Sequence, residues 1–448
     1  MTTVGTTASG AGEPLRIALV TPWPPDHSGI ADFSRDLATG LREAGWRVDV
    51  FTPNVAAEAV DGVTIVRVPA GWDGRGLESY AFRLYQLGNN IDFHGWMLPA
   101  LLDHPGVVQL HDIVLHHLLI GLTCAVDDWP SYLRIVRTQY GDEVAKRFEG
   151  PLHGPVKPVW ETAEVVDYPF FEFFVEHAVA VIVHSRFAAR RVAERLPRLP
   201  LRQVAQTYRQ SHVRQRTTLR RIGIFGGVQD NKKIDWILEA FGNLGTLLDG
   251  IQVTVVGAIA EQSEPLVAAA GRLEHLSIDF IGRVDEARFV EELEATDLCI
   301  SLRHPTMGET SAIVMRALQL GAPTIVSDTG WYAELPVEVA KAPLRDTPNF
   351  LSSWIHRLVA EPDAYRAWAA ECARLPERLD LSHAFMCNDI GDFLQTFRAE
   401  RFANDRVTRH MVDLGFVGDP SERPVLDAIA KRSSFSTTDG LRQRMAKR

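Results

Sequence analysis

The sequence predicts an α/β fold with two domains, each built on a parallel β-sheet that helices cover on both faces. The chain has 448 residues, which is enough for two domains of ordinary size. A pattern of apolar strand, polar loop and amphipathic helix begins at Arg16–Val20, and the same pattern begins again at Arg221–Phe225. Strand–helix–strand units of this kind form parallel sheets, because their crossovers are right-handed in nearly all cases.

Short apolar runs mark the expected strands. In the first half they are Arg16–Val20, Arg47–Thr52, Val63–Val68, Val107–Leu110 and Ala178–His184. In the second half they are Arg221–Phe225, Gln252–Val256, Ser277–Ile281, Leu298–Leu302 and Pro323–Ser327. Helical spacing of apolar residues predicts helices at Ile30–Ala44 and Ile234–Leu244. We therefore expect two Rossmann-like domains whose sheets face each other across a cleft.

The predicted division of the chain follows from these patterns. It consists of a disordered leader at 1–14, domains at 15–210 and 211–384, and a C-terminal segment at 385–448 whose end is basic. The joint between the domains is the polar stretch Gln203–Arg220.

Composition excludes several classes of protein. The net charge of −10 argues against a general nucleic-acid binder, which is usually basic. No apolar run approaches the roughly 18 residues of a transmembrane helix, and the first residues do not resemble a signal peptide. The four cysteines, which are Cys124, Cys299, Cys372 and Cys387, are too scattered for a disulfide framework or a zinc site. These features predict a cytoplasmic protein with reduced thiols.

Open α/β sheets bind ligands beyond the carboxyl ends of their strands, so the loops at those ends carry the candidate residues. Ser28 and Gly29 begin the first predicted helix, where backbone N–H groups favour an anionic ligand. An N-cap at Ser28 and a simple turn at Gly29 are an equally weighted alternative. No G-x-G-x-x-G sequence follows the strand, which argues against an ordinary dinucleotide site.

A second polar group follows the strand at Val107–Leu110. His111 is expected to donate a hydrogen bond to a ligand hydroxyl, or to orient that hydroxyl, and Asp112 comes directly after it. Asn89, Asn90 and His94 form another polar cluster nearby in the sequence. Asn89, His94 and Asp112 are candidates for the acceptor side of the site. A structural role is the preferred interpretation for the other two histidines of this region, His116 and His117.

In the second half, a glycine-bearing loop lies between the strand at Arg221–Phe225 and the next helix. Gly226 and Gly227 allow a phosphate to approach the backbone, and Lys232 supplies a positive charge. The G-K-[ST] ending of a Walker A loop is absent. A solvated helix-start residue is the preferred interpretation for Lys233 and the alternative one for Lys232.

The most specific segment is Ser301–Ser311, between a predicted strand and a helix. Arg303 is suited to neutralise a phosphate, and Glu309 is suited to accept hydrogen bonds from hydroxyl groups. The backbone N–H groups of Thr310 and Ser311 would point at an anion beyond the helix start. Capping of the helix by either residue is the alternative, and it is compatible with binding.

These motifs resemble those of the family 4 retaining glycosyltransferases (glycosyl transferases group 1), which have the GT-B fold. The resemblance covers about Arg16 to Phe397 and depends on these segments: Pro24-Pro25, Ser28-Gly29, Leu110-His111-Asp112, Val183-His184-Ser185, Phe225-Gly226-Gly227 with Lys232, Gly308–Ala317, Gly321-Ala322-Pro323 and Ser327–Pro336. It implies that the C-terminal domain binds a nucleoside diphosphate sugar and that the N-terminal domain binds the acceptor. It also implies that Ala384–Glu400 is a helix that crosses back to the N-terminal domain.

The resemblance implies a role for each site residue. Gly29 faces the donor phosphates, His111 lies beside the transferred sugar, and Lys232 neutralises the diphosphate. Glu309, Thr310 and Ser311 reach the sugar and the phosphates. The reaction is expected to retain the anomeric configuration and to need neither a metal nor another cofactor, because cationic side chains and helix dipoles stabilise the leaving diphosphate.

Two departures from the family pattern affect donor recognition. Gly227 stands where the family usually has an arginine, and Arg316 stands where it has the second glutamate, which normally holds the ribose. The first glutamate of the pattern falls on Gly308, with Glu309 beside it. We therefore expect a divergent subgroup with a Gly-Glu-Thr-Ser loop, in which Arg303 replaces the missing phosphate-binding arginine and Arg316 lies on the donor side.

Other functions stay open at this stage. They are another GT-B enzyme, such as a nucleotide-sugar epimerase or a phosphorylase, and an inactive protein that binds a nucleotide sugar. An NAD-dependent oxidoreductase is the least favoured, because the glycine fingerprint is missing. The acceptor is not identified by the sequence, although Trp72–Tyr85 and Trp129–Trp160 are expected to shape its pocket.

Overall fold

The computed structural model of the protein describes residues 14–150, 157–209, 212–259, 263–273 and 275–397. These residues form two sheets, one of seven strands and one of six, in which all paired strands are parallel. Helices pack against both sheets, so the predicted α/β architecture of two domains is confirmed. The predicted leader and nearly all of the basic C-terminal end lie outside the described residues, and the domain boundaries stay predictions.

The N-terminal sheet has the strand order β3-β2-β1-β4-β5-β6-β7. Its strands are β1 (Arg16–Val20), β2 (Arg47–Thr52), β3 (Val63–Arg67), β4 (Phe82–Leu87), β5 (Val107–Leu110), β6 (Ala180–Val183) and β7 (Leu201–Gln203). Its helices are α1 (Gly29–Glu43), α2 (Ile91–His94), α3 (Leu98–Asp103), α4 (His116–Leu122), α5 (Trp129–Tyr140), α6 (Asp142–Glu149), α7 (Phe171–Val175) and α8 (Arg186–Arg195).

The C-terminal sheet has the order β10-β9-β8-β11-β12-β13. Its strands are β8 (Arg221–Phe225), β9 (Gln252–Val256), β10 (Ser277–Gly282), β11 (Leu298–Ser301), β12 (Thr324–Ser327) and β13 (Ala340–Ala342). The helices of this half are α9 (Ile234–Leu244), α10 (Glu264–Ala270), α11 (Glu286–Ala295), α12 (Ala312–Gln319), α13 (Thr347–Ala360), α14 (Pro362–Cys372), α15 (Leu375–Arg378) and α16 (His383–Gln395).

Three strands were not predicted, and the most important is β4, which pairs with β1 and β5 near the middle of its sheet. Arg83 and Gln86 interrupt its apolar pattern. Both polar side chains are satisfied inside the fold, because Arg83 Nε donates to the Leu77 carbonyl at 2.9 Å and Gln86 Nε2 donates to Gln109 Oε1 at 2.9 Å. The other two, β7 and β13, are three-residue strands at sheet edges.

Helix α16 packs against the N-terminal domain. Gly40 of α1 faces it so closely that a Cβ at this position would lie 2.3 Å from Cys387 Sγ. A Cβ at Gly391 of α16 would lie 2.9 Å from Trp46 Nε1. Helix α16 (His383–Gln395) overlaps the predicted helix Ala384–Glu400 in sequence, and its assignment as a crossover helix stays a prediction.

The loop between β11 and α12 docks onto the N-terminal domain. The Val114 N–H donates to the Met307 carbonyl at 3.0 Å. Gly308 has a φ of +72°, and a Cβ there would lie 1.9 Å from Ile113 Cγ2. This contact brings the carboxyl ends of the two sheets together.

No described helix is both long and apolar enough to cross a membrane. The four cysteines are buried and unpaired.

Candidate active site in the interdomain cleft

A cavity of about 500 Å³ lies between the two domains, at the carboxyl ends of their strands. It brings together most of the residues that the sequence singled out: Ser28, Gly29, Asn89, His94, His111, Asp112, Lys232, Arg303, Glu309, Thr310 and Ser311. It does not place Gly226, Gly227 or Arg316 in its lining. The sequence analysis did not single out several other lining residues, among them Phe93, Gln206 and Tyr208.

Two helices begin at this cavity. Ser28 caps α1 by accepting a hydrogen bond from the Ile30 N–H at 3.2 Å, and Ser311 caps α12 by accepting one from the Val314 N–H at 3.3 Å. The capping interpretation is therefore correct for both serines, and both also line the cavity. The positive ends of two helix dipoles favour an anionic group here.

Lys232 places an ammonium group in the cavity lining. Among the residues that the structure describes, no carboxylate lies within ion-pair distance of its ammonium group. Burial, helped by the positive charge of the neighbouring Arg303 and opposed by the attraction of Glu309, lowers the pKa of Lys232 to about 7. Gly226 makes room for it, since a Cβ at that glycine would lie 3.2 Å from Lys232 Nζ. The arrangement suits an anion that restores the charge of this lysine.

Arg303 and Glu309 form a buried ion pair, with 2.6 Å between Nε and Oε1 and with each side chain only 13% exposed. The other oxygen of Glu309 accepts hydrogen bonds from the Met307 N–H at 2.7 Å and the Thr306 hydroxyl at 3.0 Å. Burial lowers the pKa of Arg303, but the Glu309 carboxylate, together with Tyr332 and Asp112, more than offsets this and raises it above its usual value. Both side chains of the pair are charged and are held in place by these contacts, and their net charge is zero. With Lys232 and the start of α12 it forms the cationic wall of the cleft.

The opposite side, the histidine wall, consists of Asn89, His94, His111 and Asp112. Burial lowers the pKa of His94 to about 3. The pKa of His111 lies well below its usual value because of burial, with smaller effects from His184 and His94. Both rings are therefore neutral near pH 7. The pKa of Asp112 is raised to about 6 by burial and by Glu309, and its Oδ2 accepts the Asn89 N–H at 2.8 Å.

Asn89 ties this wall to α4. Its Oδ1 accepts the Leu118 N–H at 3.0 Å, and its Nδ2 lies 3.1 Å from His117 Nδ1. His116 is buried among aromatic rings and lies 2.9 Å from the Tyr132 hydroxyl, which is a structural environment.

Arg316 lies behind the cavity lining. It forms an ion pair with Glu286, and its guanidinium lies 4.3 Å from the centre of the Tyr208 ring, which does line the cavity. A Cβ at Gly227 would make ordinary van der Waals contact, 3.6 Å from the Ala258 carbonyl oxygen. Their assignment to donor binding stays a prediction.

Sequence reasoning missed the buried amides behind the histidine wall. Gln86 and Gln109 are fully buried and hydrogen-bonded to each other, and His111 Nε2 lies 2.7 Å from Gln86 Oε1. A glutamine in the middle of each of two apolar strands was the available signal, because such a residue needs partners inside the protein.

Residues 220–375 match the family model for glycosyl transferases group 1. The matched segment contains the whole cationic wall. No curated protein matches the chain by sequence.

Three similar solved structures share the fold. WaaG, a glycosyltransferase involved in lipopolysaccharide biosynthesis, is 12% identical with a TM-score of 0.56, and the match covers 84% of this chain and 99% of WaaG. Sucrose-phosphate synthase from Thermosynechococcus elongatus is 18% identical with a TM-score of 0.57, covering 85% and 98%. HepE (Alr3699) from Anabaena, solved with UDP and glucose, is 14% identical with a TM-score of 0.55, covering 85% and 100%. These likenesses show that the chain has the GT-B fold.

Proposed function

We propose that the protein is a glycosyltransferase that moves a sugar from a nucleoside diphosphate sugar to an acceptor hydroxyl. The observation that carries the proposal is the buried ammonium group of Lys232, which has no ion-pair partner among the described residues and lies in an interdomain cavity where two helices begin. A diphosphate would supply the missing negative charge. The family match over residues 220–375 and the GT-B fold support the same function.

The two walls suggest a division of roles. Lys232 and the N-terminus of α12 bind the diphosphate and stabilise it as it leaves. Arg303 lies beside them and contributes to binding of the diphosphate, while its ion pair with Glu309 keeps it charged. The histidine wall faces the sugar, where neutral rings and amides form hydrogen bonds with hydroxyl groups. Contact between the domains at Gly308 and Ile113 limits the entry of water.

The proposed reaction retains the anomeric configuration, through front-face attack by the acceptor within an ion-pair-like transition state. Support comes from the resemblance to retaining enzymes in the motifs around His111 and Glu309. The anomeric proton of the product, observed by NMR before mutarotation, gives the configuration. An inverted product would instead assign Asp112, whose pKa is raised to about 6, as a general base.

The proposed chemistry needs no metal and no other cofactor, because cations and helix N-termini of the chain itself face the leaving group. Turnover that is unchanged by a chelator supports this, and turnover that needs added Mg²⁺ or Mn²⁺ contradicts it. We further propose a cytoplasmic location, where nucleotide sugars are available; fractionation of the native cells would test it.

The first experiment is thermal stabilisation of the purified protein by a panel of nucleoside diphosphates and their sugars. A ligand that binds only the folded state raises its melting temperature. A selective shift by one nucleotide supports the donor site and identifies the base, and uridine belongs in the panel because the HepE structure contains UDP. No shift with any nucleotide contradicts the proposal.

Turnover separates the remaining alternatives. Release of free nucleoside diphosphate together with a glycosylated acceptor distinguishes a transferase from an epimerase or a phosphorylase. Binding without transfer and without slow donor hydrolysis identifies an inactive binding protein. The acceptor is a small molecule, a glycan or a lipid-linked sugar, and its hydroxyl must reach the N-terminal side of the cleft.

A further inference from the structure

A chain of buried side chains leads from His111 to the backbone at the edge of the N-terminal sheet. His111 Nε2 lies 2.7 Å from Gln86 Oε1, and Gln86 Nε2 lies 2.9 Å from Gln109 Oε1. Gln109 Nε2 lies 3.3 Å from His184 Nε2, and His184 Nδ1 lies 2.9 Å from the Val204 carbonyl. We call Gln86, Gln109 and His184 the relay.

The parallel sheet places these side chains together. Gln86 of β4 and Gln109 of β5 are direct partners in the strand register. His111 follows Gln109 by two residues, so both side chains point to the same face of the sheet. Phe33 of α1 covers this face, with its ring 5.1 Å from His111 and 5.8 Å from His184. The relay is therefore shielded from water.

The direction of every hydrogen bond follows from the Val204 end. A carbonyl only accepts, so His184 Nδ1 must carry a proton. Burial lowers the pKa of His184 to about 4, so the ring is neutral and its Nε2 must accept. The group that faces this nitrogen must be the NH₂ of Gln109, which fixes the orientation of that amide.

The orientation of Gln109 determines the hydrogen bonds of Gln86 and His111 in turn. Since Gln109 Oε1 accepts, Gln86 must present its NH₂ to it, and Gln86 Oε1 then faces His111. His111 Nε2 must therefore donate. In a neutral ring the other nitrogen, Nδ1, is an acceptor. This Nδ1 is buried and has no hydrogen-bond partner among the described residues, and His111 lines the cavity.

We infer that Gln86, Gln109 and His184 are positioning residues that hold His111 in the tautomer with a proton on Nε2, so that Nδ1 accepts a hydrogen bond from a hydroxyl of the bound sugar. The identity of the ligand rests on the proposed function, but the tautomer does not. The inference reverses the expectation from the sequence that His111 donates.

A fixed acceptor at His111 Nδ1 would affect which ligands the site prefers. An acceptor nitrogen that is buried and unpaired binds a hydroxyl group but gains nothing from a hydrogen or fluorine at the same position of the ligand. Loss of the hydroxyl would leave Nδ1 unsatisfied, and an unsatisfied buried polar group is costly. The relay would thus make the site selective for a sugar that carries a hydroxyl facing His111.

The tautomer is tested directly on the ligand-free wild-type protein. Two-bond ¹H–¹⁵N NMR correlations on a sample labelled with ¹⁵N-histidine distinguish protonated from unprotonated ring nitrogens, and the His111→Asn variant identifies the resonances of His111. We expect a proton on Nε2 and none on Nδ1. The opposite tautomer, or a doubly protonated ring at pH 7, would overturn the inference, whatever the ligand is.

The positioning role is tested by a double-mutant cycle. The readout is the ratio of two dissociation constants, one for the nucleoside diphosphate sugar that gives the largest thermal shift and one for the same nucleoside diphosphate without the sugar. Gln109→Leu frees Gln86 to rotate, so the sugar is expected to lose about three- to tenfold of its contribution to binding. In a His111→Ala background the same change should have no further effect.

An equal loss in both backgrounds would show that Gln109 acts only through the packing of the sheet, and would overturn the positioning role. If Gln109→Leu does not fold, Gln109→Glu keeps the size of the side chain but, once ionised, cannot donate to His184. A wild-type protein that binds no nucleotide contradicts the proposed function instead, and the NMR result then decides the tautomer alone.

Discussion

The two walls of the cleft differ in the polar groups that they present, since one relies on charged side chains and the other mainly on neutral ones. The cationic wall of the C-terminal domain holds the charged pair of Arg303 and Glu309 and the ammonium group of Lys232, whose pKa is lowered to about 7. On the histidine wall, burial keeps His94 and His111 neutral. The side-chain amide of Gln86, which lies behind this wall, is hydrogen-bonded to the His111 ring. Positive charge lies where an anion is expected, and neutral imidazoles and an amide lie beside the Asp112 carboxylate where hydroxyl groups are expected.

Two walls of different polarity allow one cleft to hold a diphosphate and a sugar in a fixed orientation. Electrostatic attraction is long-ranged but poorly directional, whereas hydrogen bonds from fixed amides and imidazoles depend on geometry. A ligand with an anionic end and a hydroxyl-rich end has only one favourable orientation between such walls.

Removing the charge of Lys232 should weaken the cationic wall most strongly. We expect Lys232→Ala to weaken binding of a nucleoside diphosphate by roughly 30- to 100-fold, because hydrogen bonds to charged groups contribute about 1.5–3 kcal/mol. Isothermal titration measures the dissociation constant. Lys233→Ala is the matched control, since Lys233 lies next in the chain and places its ammonium 5.2 Å from the Trp236 ring. Equal effects of the two changes would contradict the assignment.

The contact that joins the walls is tested at Gly308. A Cβ at this residue would lie 1.9 Å from Ile113 Cγ2, and the backbone φ of +72° disfavours any side chain. We expect Gly308→Ala to lower the free energy of unfolding by about 2 kcal/mol. Chemical denaturation measures it. Ile113→Ala removes the clashing methyl group, so adding it should cost less in the Gly308→Ala background than in the wild type; purely additive effects would contradict the contact.

Gly308 also shows where sequence reasoning worked and where it stopped. Strand–helix periodicity predicted both sheets, and polar residues after the strands predicted most of the cavity lining, because parallel strands end at one edge of a sheet. The sequence recorded Gly308 only as a departure from a family pattern. The close approach of Ile113 from the other domain gives the physical reason, and such a contact is not encoded in local pattern.

The relay and β4 are further examples of features that the local sequence pattern does not predict. Gln86 and Arg83 made β4 look unlike a buried strand, because the partners that satisfy them come from other segments of the chain. A polar residue in an apolar run signals either a loop or a buried network. Only the tertiary structure distinguishes the two.

The charge of the cationic wall should depend on pH, with an effect on ligand affinity of about tenfold. The pKa of Lys232 is lowered to about 7, so its charge is present below pH 7 and is lost as the pH rises. We expect the affinity for a nucleoside diphosphate to fall by about tenfold between pH 6 and pH 8, relative to Lys232→Arg, which stays charged. Using this variant as the reference cancels the ionisation of the phosphate itself. Identical pH profiles would show that Lys232 does not titrate in this range.

The smallest effect is expected at Arg316, which the sequence placed on the donor side. Its guanidinium is already paired with Glu286 and packed on the Tyr208 ring, and it does not line the cavity. Arg316→Met keeps the aliphatic packing, and the Glu286 side chain that it leaves unpaired is 38% exposed and therefore accessible to water. We expect less than about a threefold change in the affinity for a nucleoside diphosphate, and a loss of about 1 kcal/mol in the free energy of unfolding.

Inorganic diphosphate provides the control for this last change, because it has no ribose. If Arg316 holds the ribose in place of the family's glutamate, Arg316→Met must weaken the nucleoside diphosphate by tenfold or more and leave inorganic diphosphate unaffected. That result would extend the cationic wall to the nucleoside end of the donor. Equal, small effects on both ligands would confine the wall to Lys232, Arg303, Glu309 and the start of α12, and would leave Arg316 as a support for Tyr208.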